Sequence, residues 1–189
     1  MKMYRTLLHS CLFVVVVLFP CIGHAKQTNT LDKKFSISLN SSYNTEVTPY
    51  RLTLCGSYYF KKHQLALGVG FHPFFEKNER VISGELHYKY FMNGMDTKFS
   101  MYVMASLLYM NRLRSNYHPV SYNYLFLQGG YGFQVRAFGG LYLGTSVSAG
   151  TFTNSRESEH PLNNDYDNKS LFEHFGIHLE LQANIRFRF

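Results

Sequence analysis

The chain has 189 residues, of which 16% are charged and 17% aromatic, with a formal net charge of +7. So few charges, against roughly 25% in an ordinary globular chain, and so many aromatics exclude intrinsic disorder. No fixed period of Gly, heptads or longer units occurs, which excludes collagen-like, coiled-coil and solenoid architectures, and the length suits a single domain.

In chain order, the first expected element is a secretory signal peptide over residues 1–25. Lys2 and Arg5 form a positive n-region, Leu12–Phe19 is an unbroken apolar run, and Gly23 and Ala25 supply small residues at −3 and −1 of a cleavage site. The run has 8 residues, where a membrane span needs about 20. Cys21 offers a lipidation site as the alternative, with Pro20 where lipoprotein processing favours a small residue. Removing Lys2 and Arg5 from the 19 basic residues leaves 17 against 12 acidic ones over 26–189. Cys11 and Cys21 leave with the signal, so Cys55 has no intrachain partner and reads as an inert thiol. The positive charges are scattered rather than clustered, which argues against nucleic acid and for anionic lipid headgroups.

Residues 26–189 contain no apolar run of helical span length; they alternate. Short strands are expected around Phe35–Leu39, Tyr50–Phe60, Leu65–Phe71 and Val81–Tyr90. Phe99–Met110 is apolar on both parities, so its facing stays open. Leu125–Arg136 and Leu141–Gly150 alternate again, and Leu171–Phe189 does so over nineteen residues, a period that no helix produces. Short turns are expected at 61–63, 91–98 and 137–140, and longer polar loops at Asn40–Pro49, His72–Glu79, Arg112–Ser121 and Asn154–Ser170. Eight strands with turns on one side and loops on the other have the layout of a transmembrane barrel.

Alternation leaves two choices of outer face. A secreted lipocalin-like barrel with its apolar face inside is one. However, the interior of eight strands is just wide enough to be filled by side chains. Phe175, Ile177, Tyr131, Phe133, Tyr88 and Tyr90 would crowd it, whereas Gly130, Gly132, Gly144, Ser146 and Ser148 fit. The apolar face is therefore expected to point outward.

The terminal strand Leu179, Leu181, Ala183, Ile185, Phe187, Phe189 resembles the signal by which outer-membrane barrels are recognised for assembly. With the signal peptide, the eight strands and the loop asymmetry, the chain resembles the small OmpA/OmpX-like outer-membrane barrels, although it has no Trp in its aromatic set. The resemblance implies an all-β, eight-stranded antiparallel up-and-down barrel over 26–189 in the outer membrane of a Gram-negative bacterium. Its expected partners are outer-membrane lipids including lipopolysaccharide, and the barrel assembly machinery, which would read Leu181, Ile185, Phe187 and Phe189. It names no surface ligand.

Arg51, Glu85, Lys89, Arg136, Glu180, Arg186 and Arg188 share the luminal parity and are expected to form a polar network closing the lumen, since an isolated buried charge costs several kcal/mol. Ser83, Glu85 and His87 lie on one face of one strand, the residue types of a nucleophile and its base. Neighbours at i and i+2 are about 6.5–7 Å apart, so adjacent strands would have to complete any catalytic set, and the His-x-Ser pair of lipid A deacylases is absent. His174 and His178 share a parity with Glu180, but about 13 Å separates residues four apart on a strand, beyond one ion's reach. No cofactor and no metal site are expected. Three readings follow: a non-enzymatic barrel binding, adhering or maintaining the envelope through its loops; a lipid A-modifying acyl hydrolase or acyltransferase using Ser83, Glu85 and His87; and a subunit of a larger envelope complex.

Overall fold

A computed structural model describes residues 34–46, 50–73, 79–115, 119–158 and 169–189. The expected signal peptide with Cys21 lies outside these residues, as do the loop tips at 47–49, 74–78, 116–118 and 159–168.

The strands are β1 (Phe35–Asn44), β2 (Arg51–Phe60), β3 (His63–Phe71), β4 (Glu79–Phe91), β5 (Phe99–Ser115), β6 (Pro119–Phe138), β7 (Leu141–Ser158) and β8 (Phe175–Arg188). Each pairs antiparallel with the next, and β1 pairs with β8, closing the barrel. Closure leaves no strand edge, so every ladder bond is made within the wall. The wall is apolar outside and mostly polar inside. Along β8, for example, Leu179, Leu181 and Ile185 are exposed while His178, Glu180, Gln182, Asn184 and Arg186 are buried.

The strand of ambiguous parity resolves with Phe99, Met101, Leu107 and Tyr109 outward. Tyr102, Met104, Leu108 and Met110 point into the lumen, which is why both parities read as apolar.

Several expected boundaries are corrected, beginning with β1, which runs to Asn44 inside the expected Asn40–Pro49 loop. The Arg112–Ser121 loop is largely strand, with β5 running to Ser115 and β6 starting at Pro119. Polar side chains carry that extension: Asn111 Nδ2 donates to Asn123 Oδ1 at 2.7 Å, and Arg112 pairs with Glu79 at 2.7 Å. Similarly, β7 continues to Ser158, inside the expected Asn154–Ser170 loop, and an isolated bridge joins Arg156 to Lys169. Conversely, β8 begins at Phe175 rather than Leu171. Phe172 turns the chain with a φ of 74° and gives its N–H to Thr153 Oγ1 rather than to a ladder partner.

The lumen is filled in layers. At the turn end, Tyr59, Phe91, Met95, Tyr102 and Met104 pack together, Met95 reaching in from the 92–98 turn. The same turn supplies Asp96, whose carboxylate accepts from Arg188 at 2.8 Å, and the Arg188 guanidinium lies over the Tyr59 ring. The Tyr102 ring occupies the space where a side chain on Gly132 would stand. Toward the loop end, Val81, Leu108, Met110, Tyr124 and Phe126 form a second apolar cluster. The buried Arg51, Glu85 and Glu180 form a further, charged group in the lumen.

Candidate functional site

Arg51 opens β2 with its guanidinium inside the lumen. Its Nη2 donates to Glu85 Oε2 on β4 at 2.9 Å and lies 3.4 Å from Glu180 Oε1 on β8. All three side chains are at most 3% exposed. One cation thus spans strands on opposite sides of the barrel, and it keeps two buried carboxylates compensated.

Glu85 gathers further neighbours on its other oxygen. His87 Nε2 lies 3.0 Å from Oε1, and the Cys55 thiol reaches the same oxygen at 3.4 Å. Backbone spacing of about 7 Å along the strand therefore does not separate Glu85 from His87, because their side chains lean toward each other. Cys55 arrives by a different route. It pairs with Gly68 on β3, and Gly68 pairs with Glu85 on β4. A Cβ on Gly68 would collide with Cys55 Sγ, so the missing side chain lets residues of β2 and β4 meet over β3. Asn40 Nδ2 on β1 donates to Cys55 Sγ at 3.0 Å.

The other expected network members separate. Lys89 Nζ sits over the Tyr102 ring at 4.6 Å, Arg186 Nη1 donates to Gln134 Oε1 at 2.7 Å, and Arg188 pairs with Asp96. Arg136 does not join them, which corrects its expected place. It precedes the irregularity between Arg136 and Phe138, is half-buried, and its Nε donates to the Gly139 carbonyl of the following turn. Asp96 and the aromatic layer beside it went unread in the sequence, because a turn residue carries no face parity.

Ser83, Glu85 and His87 all point into the lumen and are 2–3% exposed, with Ser83 Oγ making no hydrogen bond. His174 and His178 are divided. His174 lies outside β8 beside Lys169, while His178 stacks edge-on against Phe126 at 4.8 Å between ring centres. Outside the barrel wall, Ser170 Oγ donates to Glu173 at 2.6 Å and holds that carboxyl below its ordinary range. Leu181, Ile185 and Phe187 face outward, and the Phe189 N–H bonds the Phe35 carbonyl at 2.9 Å, tying the last residue to the first strand.

No protein-family profile matches the sequence, and no curated protein matches it. Among solved structures, a major outer membrane protein from Thermus thermophilus superposes with a TM-score of 0.50 at 13% identity, covering 84% of this chain and 100% of that one. The fold is that of solved outer-membrane barrels. Neisserial surface protein A superposes at a TM-score of 0.49 and 11% identity, over 82% of this chain and 96% of its own. The Acinetobacter baumannii outer membrane protein Omp33 covers 85% of this chain and 100% of its own at a TM-score of 0.24 and 10% identity.

The barrel's outer wall completes the geometry. Phe35, Tyr58, Phe60, His63 and Tyr88 form a run of neighbouring rings at the turn end, continued by Tyr90 against His63 and by the Phe99–Phe133 pair. Tyr43 and Tyr50 pair at the loop end. Between these rings, Leu67, Leu86, Leu107 and Leu127 stand in register across β3 to β6.

Proposed function

We propose that this chain is a non-enzymatic integral outer-membrane protein that acts through its loop end, by binding, adhesion or support of the envelope. The observation that carries the reading is the outer wall: apolar side chains such as Leu67, Tyr131 and Ile177 are 65–77% exposed, while charged residues line the lumen. Water-facing surfaces do not carry a continuous apolar band of that kind. Lipid does accept it, and rings of aromatic residues at both rims match the interfacial girdles of membrane barrels. Apolar clusters pack the lumen among the described residues, which leaves the two ends of the barrel for a partner, and the loop end has the longer connections. Function on such a scaffold resides in a site rather than in the fold.

Heat-modifiable migration in SDS gels and recovery in the outer-membrane fraction test the membrane reading; identical boiled and unboiled bands, or a soluble protein, would overturn it. Deleting residues 159–168 leaves the paired part of β7 and all of β8 intact. It is expected to change a surface-binding or envelope-integrity phenotype. Unchanged phenotypes after shortening each of the four loops would sink the loop reading. The lipid A-modifying alternative is disfavoured by the burial of Ser83, Glu85 and His87, which keeps an acyl chain from reaching them. Mass spectrometry of lipid A from cells with the unaltered protein or the Ser83→Ala/His87→Ala variant is expected to give identical spectra.

A further inference from the structure

We propose that Cys55, Glu85 and His87 form a luminal site for one borderline-soft divalent cation, with zinc(II) as the best fit. One donor atom from each residue lies within 4.8 Å of the others, and all three residues are buried. A tetrahedral zinc ion, with bonds of about 2.0–2.1 Å to nitrogen and oxygen and about 2.3 Å to sulfur, sets its ligand atoms about 3.3–3.6 Å apart. The 3.0 Å from His87 to Glu85 and the 3.4 Å from Cys55 to Glu85 are already close to those edges.

Three further observations point to a ligand. His87 is 2% exposed, yet neither ring nitrogen makes a hydrogen bond, the Glu85 oxygen being near but poorly aligned. Its Nε2 faces Glu85 at 3.0 Å, but the buried Nδ1 has no hydrogen-bond partner, which is costly, and coordination satisfies a ring nitrogen. The supporting contacts are also in place: Arg51 holds Glu85 by Oε2, leaving Oε1 turned toward Cys55 and His87, and Asn40 donates to the sulfur. Such outer contacts orient ligands and tune the ion. Finally, Gly68 keeps the space between the Cys55 and Glu85 side chains free of a Cβ.

The donor set decides the ion class. Calcium and magnesium take oxygen ligands, six or more in number, which this cluster does not supply. Thiolate with imidazole and carboxylate selects zinc and its neighbours. On binding, the Cys55 S–H bond breaks, the proton passes to water, and sulfur donates its pair to the ion. Thiolate and carboxylate then neutralise the dication, so Arg51 retains Glu180 as its counter-charge. Three protein ligands leave a fourth position for water. The ion would tie β2 to β4 across β3.

The test uses the full barrel refolded from urea into detergent micelles with Zn²⁺ present, then desalted. Elemental analysis is expected to find one zinc per chain fewer in folded Cys55→Ser than in the unaltered protein, with heat-modifiable migration as the check on folding. Equal zinc contents would overturn the site, and where they are above zero would assign the metal to exposed histidines such as His174. Cobalt(II) in the unaltered protein gives a second readout that needs no variant. One equivalent is expected to produce a thiolate-to-cobalt charge-transfer band. A barrel that takes up no cobalt, or takes it up without that band, also overturns the proposal. Neither result bears on the loop reading above.

Discussion

Arg51 is the residue on which the charged layer depends, because it alone among the described residues forms ion pairs with both Glu85 and Glu180, from a position 3% exposed. Arg51→Met is expected to lower stability by about 3–5 kcal/mol, the cost of leaving buried charge uncompensated, read as an earlier urea midpoint in micelles. A midpoint within error of the unaltered protein would mean that the carboxylates find water or protons instead. The luminal parity of Arg51, Glu85 and Glu180 is legible in the sequence, since each occupies the polar face of an alternating run. Their meeting is not. The two-residue turn at Lys61 and Lys62 fixes the pairing of Cys55 with Gly68 once its type is known. The pairing of Gly68 with Glu85 depends on a longer loop, whose length leaves the register of β3 and β4 open. A cluster assembled across three strands therefore needs both registers, and the expected turn over 61–63 misses even the first, because His63 pairs with Phe60.

At the scale of the strand, what decides an outward position is the medium it meets. Leu127 stands on β6 between Leu107 and Thr151, 63% exposed on the apolar band of the outer wall. Leu127→Arg is expected to destabilise the folded barrel in lipid vesicles by about 2–4 kcal/mol, the depth-dependent cost of a charge on the lipid face. A change under half a kcal/mol would place that face in water. The strands themselves were read unevenly, for physical reasons. β8 announces itself through alternation, yet alternation at Leu171–His174 continues into a turn, because parity does not report φ at Phe172. Residues 112–121 look like a loop because they are polar. Polarity marks the end of the apolar band, however, not the end of pairing, and Asn111, Asn123 and Ser155 extend the ladder by side-chain hydrogen bonds.

For the whole molecule, the layered lumen predicts electrical silence. Tyr59, Phe91, Met95 and Tyr102 close the turn end, and Leu108, Tyr124 and Phe126 fill the wall toward the loops. Reconstituted in a planar bilayer, the barrel is expected to show no stable ohmic conductance; steps of uniform size at low protein concentration would refute the packed interior. Strand length carries a separate consequence. β1, β2 and β3 have 10, 10 and 9 residues, whereas β5, β6 and β7 have 17, 20 and 18. At about 3.3 Å per residue, the far side stands several residues taller, so the mouth is cut obliquely like a quill. A large partner of the proposed loop end would be received over the low side and backed by the high one, which would give the encounter a single preferred direction.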